Sequence, residues 1–308
     1  LEKGMEDITQ PIQVFGVGQC SLDYIGKIDA YPPADRKCEF FDMVIQGGGP
    51  VATALVALAR WGVSCAFSGV VGDDPFGRVI LESLEAEGID TAGVMTRKGK
   101  DSQFAFIAAE PGRGRRTIFW RRPTGDPLSP EEIDLRRVEQ AKILHTDGRF
   151  VEASLAACKA ARKAGVQVVA DADTFHQGLV KLARASDFFI SSENFAAALI
   201  RKEDPHEACR RIVGLGPKVA GVTLGAKGYV ALAEGRWIER PAYPVEVVDT
   251  TGCGDVFHAG FIFGLLRKWD YEKCFDFAAW AAAMVSRKMG GRSGIPSLEQ
   301  VRERRFFG

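Results

Sequence analysis

Asp249-Thr250-Thr251-Gly252-Cys253-Gly254-Asp255-Val256-Phe257-His258-Ala259-Gly260-Phe261 is the stretch on which the reading of this chain turns. It follows a segment, 242–248, that reads as extended, and it opens an apolar run, 255–268, of helical length. Glycines on both sides of Cys253 permit a tight turn in which consecutive backbone N–H groups converge at the positive end of the following helix. A turn of that kind binds anions, a phosphoryl group in transfer included. Asp255 falls in the first helical turn, where the dipole is expected to keep its carboxylate ionised and fixed as the acceptor of a hydroxyl proton. An isolated Gly-x-Gly-Asp is equally well an ordinary turn followed by a helix-favouring acid.

Upstream of this stretch, short apolar runs at 12–17, 65–71, 143–146, 166–170, 187–190 and 219–224 read as buried strands. Between most of them, 50–61, 76–87, 152–164, 194–201 and 205–213 have the apolar spacing of amphipathic helices, and 271–289 is a further long helix. Such alternation predicts an α/β fold with a mainly parallel sheet covered by helices on both faces. Two segments, 24–44 and 102–120, break the alternation and read as β-hairpins, with turns at 32–35 and 111–114. They predict a small β-lid, about 22–46 and 102–122, on a single domain spanning 1–308.

The chain has 308 residues, 46% of them hydrophobic, enough for a large core. Lys+Arg and Asp+Glu both number 40, which excludes the broad basic field of a nucleic-acid binder. Bound phosphate must then be held by local geometry. Seven cysteines are scattered without a Cys-x-x-Cys pair, as in a reduced cytoplasmic protein lacking a zinc site or disulfide frame. Residues 1–10 lack the apolar core of a signal peptide, and no run approaches the ~20 apolar residues that cross a bilayer. A dinucleotide fingerprint at Gly16-Val17-Gly18-Gln19-Cys20-Ser21 lacks its third glycine. Gly-x-x-x-x-Gly-Lys-Ser/Thr, His-Glu-x-x-His and Gly-x-Ser-x-Gly are absent, which removes the P-loop, zinc-peptidase and α/β-hydrolase readings.

The stretch 249–261 resembles the C-terminal signature of the ribokinase-like (PfkB) family of carbohydrate kinases, with Cys253 where the family has alanine. Gly47-Gly48-Gly49-Pro50-Val51-Ala52-Thr53-Ala54, followed by Leu58-Ala59-Arg60-Trp61-Gly62, resembles the N-terminal signature, with Thr53 in place of a sugar-touching asparagine. Val71-Gly72-Asp73-Asp74-Pro75-Phe76-Gly77 and Thr223-Leu224-Gly225-Ala226-Lys227-Gly228 resemble further family phrases. The resemblance implies a three-layer α/β/α fold with a lid, and ATP-dependent phosphorylation of a sugar hydroxyl. Asp255 would be the base and the amides of Gly252, Cys253 and Gly254 the anion hole. Asp23, Gly48, Gly49 and Thr53 would hold the sugar, and Thr223, Gly225, Lys227, Gly228 and Gly254 the nucleotide. Residues 259–261 and the helix 271–289 would form one wall of the adenine pocket.

It further implies Mg2+, with Glu193 near it although the usual Asn-x-x-Glu reads Ser192-Glu193-Asn194-Phe195-Ala196 here. A monovalent cation such as K+ would lie by Asp249 and Thr251, and two copies would pair through the lid. Within the family the likeness is greatest to kinases of 6-deoxy-6-sulfofructose, through 47–54, 254–258 and Gly290-Gly291-Arg292-Ser293-Gly294-Ile295-Pro296. On that reading Lys37 and Arg149 flank an anionic substituent, while Trp120 stands where those kinases carry a polar asparagine. A ribokinase or fructokinase acting on a neutral sugar, and a non-catalytic sugar-binding regulator on the same fold, remain alternatives.

Overall fold

The computed structural model of the protein describes residues 11–110 and 115–304; the stretch 1–10 and the turn 111–114 read above lie outside them. In chain order the first elements are β1 (Val14–Val17), β2 (Ser21–Lys27), β3 (Asp42–Gly48), α1 (Pro50–Arg60), β4 (Cys65–Gly72), α2 (Pro75–Glu85) and β5 (Asp90–Arg97). There follow β6 (Phe104–Glu110), β7 (Arg115–Arg121), α3 (Leu135–Gln140), β8 (Ile143–Thr146), α4 (Val151–Ala164), β9 (Gln167–Ala172) and α5 (Gln177–Ala185). The last are β10 (Phe188–Ser192), α6 (Glu193–Ile200), α7 (Pro205–Val213), β11 (Val219–Thr223), β12 (Tyr229–Ala233), β13 (Arg236–Arg240), α8 (Cys253–Leu266), α9 (Tyr271–Val285) and α10 (Leu298–Glu303).

The main sheet runs β13-β12-β11-β10-β9-β8-β1-β4-β5. It is parallel from β11 to β5, while β12 and β13 extend it antiparallel. Its central strands are apolar on both faces because both faces are covered. Val14, Val169, Phe188 and Val219 enter one core with α1, α8 and α9, whereas their neighbours Phe15, Val168, Phe189 and Ala220 enter the core under α4, α5 and α7. Helix α8 is buried from Val256 to Gly264, so it carries no polar face to orient it. Its glycines fix its place instead. A Cβ at Gly260 would stand 2.6 Å from the Ala278 Cα, and one at Gly264 2.7 Å from the Cys274 Sγ, so α8 and α9 meet almost backbone to backbone.

Both hairpin segments enter one four-stranded sheet, ordered β3-β2-β6-β7. β2 pairs antiparallel with β3 and parallel with β6, so the segment 102–122 adds onto the first hairpin and forms a single lid. Strands β5, β12 and β13 and helices α3, α5 and α10 escape the reading of the sequence, and 242–248 makes no strand pairing. β5 and β13 are the edges of the main sheet and mix half-buried with exposed residues, without the apolar run that betrays a central strand.

Candidate active site

The turn before α8 has the geometry its glycines allow. Gly252 is the N-cap at φ 75°, and no side chain caps the helix there. The amide of Cys253 is turned back to the Thr250 carbonyl at 3.4 Å, a correction to its expected part in the anion hole. The first-turn N–H groups after it, Gly254 foremost, have neither an intrahelical partner nor a capping side chain. Asp249 holds the turn from below: its carboxylate accepts the Thr251 N–H (3.0 Å), the Thr251 hydroxyl (2.8 Å) and the Gly290 N–H (2.9 Å). A Cβ at Gly252 would lie 2.4 Å from the Gly291 Cα, so this turn and the 290–291 turn interlock.

Asp255 departs from expectation in its charge. Crowding of protein around it raises its pKa from the ordinary carboxylate value to about 8, with the nearby Asp171 carboxylate adding to the rise and His258 opposing it. Withdrawal from water outweighs the helix dipole, so the empty cleft favours the neutral acid at pH 7. Asp171, at the end of β9, is itself raised well above the usual range by burial, next to Asp147 and Asp173. One turn beyond Asp255, His258 donates from Nδ1 to the Gly254 carbonyl at 2.8 Å, and its ring stacks on the fully buried His145. Burial lowers the pKa of both imidazoles.

In the small sheet, Asp23 on β2 is buried and accepts the Ser21 hydroxyl at 2.8 Å. A Cβ at Gly48 would stand 2.0 Å from Asp23 Oδ2, so only glycine fits between the carboxylate and β3. Gly49, at φ 97°, lies against the Gln19 backbone and starts α1, in which Thr53 is buried. The charge of Asp23 reaches Asp255. Arg292, unnoticed in the sequence beyond its phrase, is buried behind β3, its guanidinium 3.3 Å from the Ser83 hydroxyl and acting on Asp23.

On the other side of the turn lies a cavity of about 540 Å³, lined by Thr223, Gly225, Gly228, Tyr243, Thr250, Cys253, Gly254, Phe257 and by Ala279, Ala282 and Ala283 of α9. Helix α9 is the expected wall, but Ala259 and Phe261 are fully buried in the core and take no part; Phe257 stands there instead. Lys227 is exposed and paired with Glu193 at 3.2 Å, outside the cavity lining. Gly228 is held at φ 99° with its vacant Cβ position 2.0 Å from the Arg240 carbonyl, so a side chain there displaces the chain leaving β13 before it touches a ligand. Ala283 is the better probe. If the cavity takes ATP, as the resemblance implies, Ala283→Phe is expected to raise the ATP KM about tenfold or more and to leave the KM of the phosphate acceptor within twofold; initial-rate kinetics with each varied in turn decide it.

Lys37 and Arg149 are not brought together. Lys37 is exposed on the 28–41 connection, while Arg149 follows β8 beside Asp147, Asp171, Asp173 and His176; no contact joins the two among the described residues. Trp120 is half exposed on β7 under the Arg122 guanidinium. Also unforeseen is Arg116 of β7, whose guanidinium donates to the Thr250 hydroxyl from across the cleft. No periodicity or motif marks it, because its importance comes from the lid folding over a loop 134 residues away.

Residues 12–298 match the sequence profile of the pfkB family of carbohydrate kinases. The chain belongs to this family. This PfkB-family kinase is 28% identical over 295 residues to the ATP-dependent ribose-1-phosphate kinase of Halopiger xanaduensis, covering 94% of this chain and 97% of that one. It is 27% identical over 322 aligned positions to the 5-dehydro-2-deoxygluconokinase of Geobacillus kaustophilus, covering 96% and 94% of the two chains. Its fold is that of the ribokinase of Thermotoga maritima, with a TM-score of 0.80 at 24% identity over 95% of this chain and 98% of that one.

Proposed function

We propose that the protein transfers the γ-phosphoryl group of ATP to a hydroxyl of an anionic sugar. The observation that carries this reading is the position of Asp255 and the uncapped turn at 252–254. Cys253 and Gly254 of this turn line the apolar cavity, which suits a purine nucleotide, and Asp255 beside them feels the charge of the buried Asp23. In the transfer the sugar hydroxyl gives its proton to the Asp255 carboxylate and its oxygen forms the new bond to phosphorus. The bond from phosphorus to the bridging oxygen breaks, and ADP leaves. The amides of the turn receive the charge of the transferred group.

Among the described residues no cluster of three or more acidic, histidine or cysteine side chains could hold a metal ion. That suits Mg2+ arriving on the nucleotide phosphates, for which one or two carboxylates suffice, and Glu193 at the start of α6 would offer one. Mg2+ would neutralise phosphate charge during transfer. Asp249 already accepts three hydrogen bonds, leaving a K+ near it and Thr251 to be coordinated by lone pairs that remain. The lid exposes Phe41, Met43, Ile45 and Phe119, an apolar face that supports pairing of two copies through it.

An anionic substrate is supported by Arg149 at the cleft and by the phosphorylated sugar in the name of the Halopiger relative; a sulfonated ketose such as 6-deoxy-6-sulfofructose is the member of that class the sequence resemblance favours. The apolar ring of Trp120 favours the second reading, a neutral ketose or ribose. ADP release measured with fructose, ribose, fructose 6-phosphate, ribose 1-phosphate and 6-deoxy-6-sulfofructose separates them. Arg149→Ala is expected to lower kcat/KM for the anionic sugars by an amount worth about 1.5–3 kcal/mol, with neutral sugars little affected. Equal losses on all five would leave Arg149 a structural residue and return the substrate to the neutral class.

A further inference from the structure

We propose that His258 and Asp171 share a single proton under the cleft and act together as positioning residues for Asp255, the acceptor of the hydroxyl proton. The inference rests on the phosphotransfer reading above and adds to it the groups that govern the acceptor. Its ground is the set of donors and acceptors around one ring. His258 Nδ1 lies 2.8 Å from the Gly254 carbonyl, while Nε2 lies 3.3 Å from the Ile190 carbonyl and 3.6 Å from Asp171 Oδ1. With Asp171 ionised, all three oxygens are acceptors, and a neutral imidazole has one N–H to offer. The shortest contact assigns that N–H to Nδ1. The Nε2 lone pair would then face two oxygens, in a place where the His258 and Asp171 side chains are only 4% and 11% exposed. Two arrangements remove the conflict. A second proton sits on Nε2, giving an imidazolium beside a carboxylate, or on Asp171, whose hydroxyl then points at Nε2. Both contain the same number of protons and carry no net charge. Burial, which lowers the imidazole and raises the Asp171 carboxyl, favours the latter. The 3.6 Å contact becomes a hydrogen bond once the two side chains approach by roughly 0.5 Å.

Asp255 lies one turn before His258 on α8, and the carbonyl that His258 grips belongs to the peptide whose nitrogen is the Asp255 amide. Beyond burial, the charge of Asp171 raises the Asp255 carboxyl and that of His258 lowers it, so a proton held between the two cancels one against the other. The other charged and titratable groups facing them come from β8, β9, the loop after β8 and the lid. His145 stacks on the His258 ring and is kept uncharged by its own burial. Asp147 and Asp173 act on Asp171 against Arg149, and Asp23 acts on Asp255 against Arg116. In the transfer the proton of the sugar hydroxyl goes to Asp255. The shared proton stays with its pair, on Nε2 or on Asp171, and Asp255 meets no net charge from below.

The test is the pH dependence of kcat/KM in the intact protein, with whichever sugar is turned over. Because the shared proton already cancels the Asp171 charge, Asp171→Asn should leave the midpoint of the ascent within about 0.3 pH units. His258→Phe strips Asp171 of its partner, so Asp171 and Asp255 compete for protons and the midpoint should rise by about one unit. Combining the two substitutions should bring it back to the unmutated value. His258→Gln, which still offers Asp171 an N–H, should bring back part of it. A histidine that only packs would change Tm or kcat and leave the midpoint in place in all four variants. That result overturns the proposal, as does an acid shift of about one unit in Asp171→Asn, which would mark Asp171 as an independent carboxylate. The same proton can be read without any sugar, in protein labelled with nitrogen-15 at histidine. His258 Nε2 should resonate between the protonated and unprotonated extremes, hold that position from about pH 5 to 8, and move to the unprotonated extreme in Asp171→Asn. An Nε2 that titrates near the ordinary value of about 6.5 overturns the proposal while the kinase reading stands. If the unmutated protein releases no ADP with any sugar, the kinase reading falls and takes this role of the pair with it.

Discussion

Asp255→Asn is expected to lower kcat at least a hundredfold and, in the same protein, to raise Tm at neutral pH. The first effect is the loss of the proton acceptor, for which ~10²-fold is a modest general-base contribution. The second comes from burial. A carboxyl whose folded pKa is about 8 holds its proton in the folded state long after the unfolded chain, with its value near ~4, has released it. Its contribution to stability is thus fully present below about pH 4 and is lost progressively as the pH rises through about 8. Asparagine has no proton to lose, so the Tm advantage of the variant should grow between pH 5 and 8. The same protonation predicts that kcat/KM of the unmutated enzyme climbs with pH, reaches half its maximum near pH 8 and levels off about one unit higher, because kcat/KM reports the free enzyme. Thermal melts and initial rates across that range check both. Turnover near the wild-type rate would remove Asp255 from the base's role, and a flat Tm difference would mean that the cleft does not hold the acid neutral.

Gly252→Ala is expected to cost kcat 10²- to 10³-fold, the range for one lost oxyanion-hole donor, with the acceptor sugar's KM changed far less. Two causes act together. A side chain at φ 75° is strained by about 1–2 kcal/mol, and its Cβ would enter the Gly291 backbone at 2.4 Å, where no rotamer change can relieve it. The turn must shift, and the amides it aims move with it. Gly62 offers the control, being at φ 82° with nothing within 4 Å of its Cβ position. Gly62→Ala should show the strain in Tm with no loss of kcat. Equal kinetic losses in both variants would mean that general destabilisation, and not the aim of the amides, sets the rate.

The turn at 252 and the buried helix after it were legible because glycine, acid and apolar run stand there in an order that little else in the chain imitates. Strands β8 to β11 were legible because burial on both faces leaves uninterrupted apolar runs. The charge state of Asp255 was not, since the dipole is written in the sequence and the crowding around the side chain is not. Nor was the face α8 turns to the cavity: with apolar residues all round, periodicity could not place Phe257 there and Ala259 and Phe261 in the core. Arg116 and Arg292 matter through neighbours far away in the chain, and a lone arginine carries no local mark of that.

The tie between Asp249 and Gly290, and the seating of Gly252 on Gly291, bear on when this enzyme comes into being during synthesis. Asp23 and Gly48 leave the ribosome early and belong to a sheet whose strands all lie before residue 122. The phosphate turn has its backstop only once residues 290–291 have emerged and α9 has docked on α8. A growing chain can therefore pair the strands of its small sheet early in translation, whereas the turn before α8 and the seat of Arg292 beside Asp23 are both completed only as the last residues emerge.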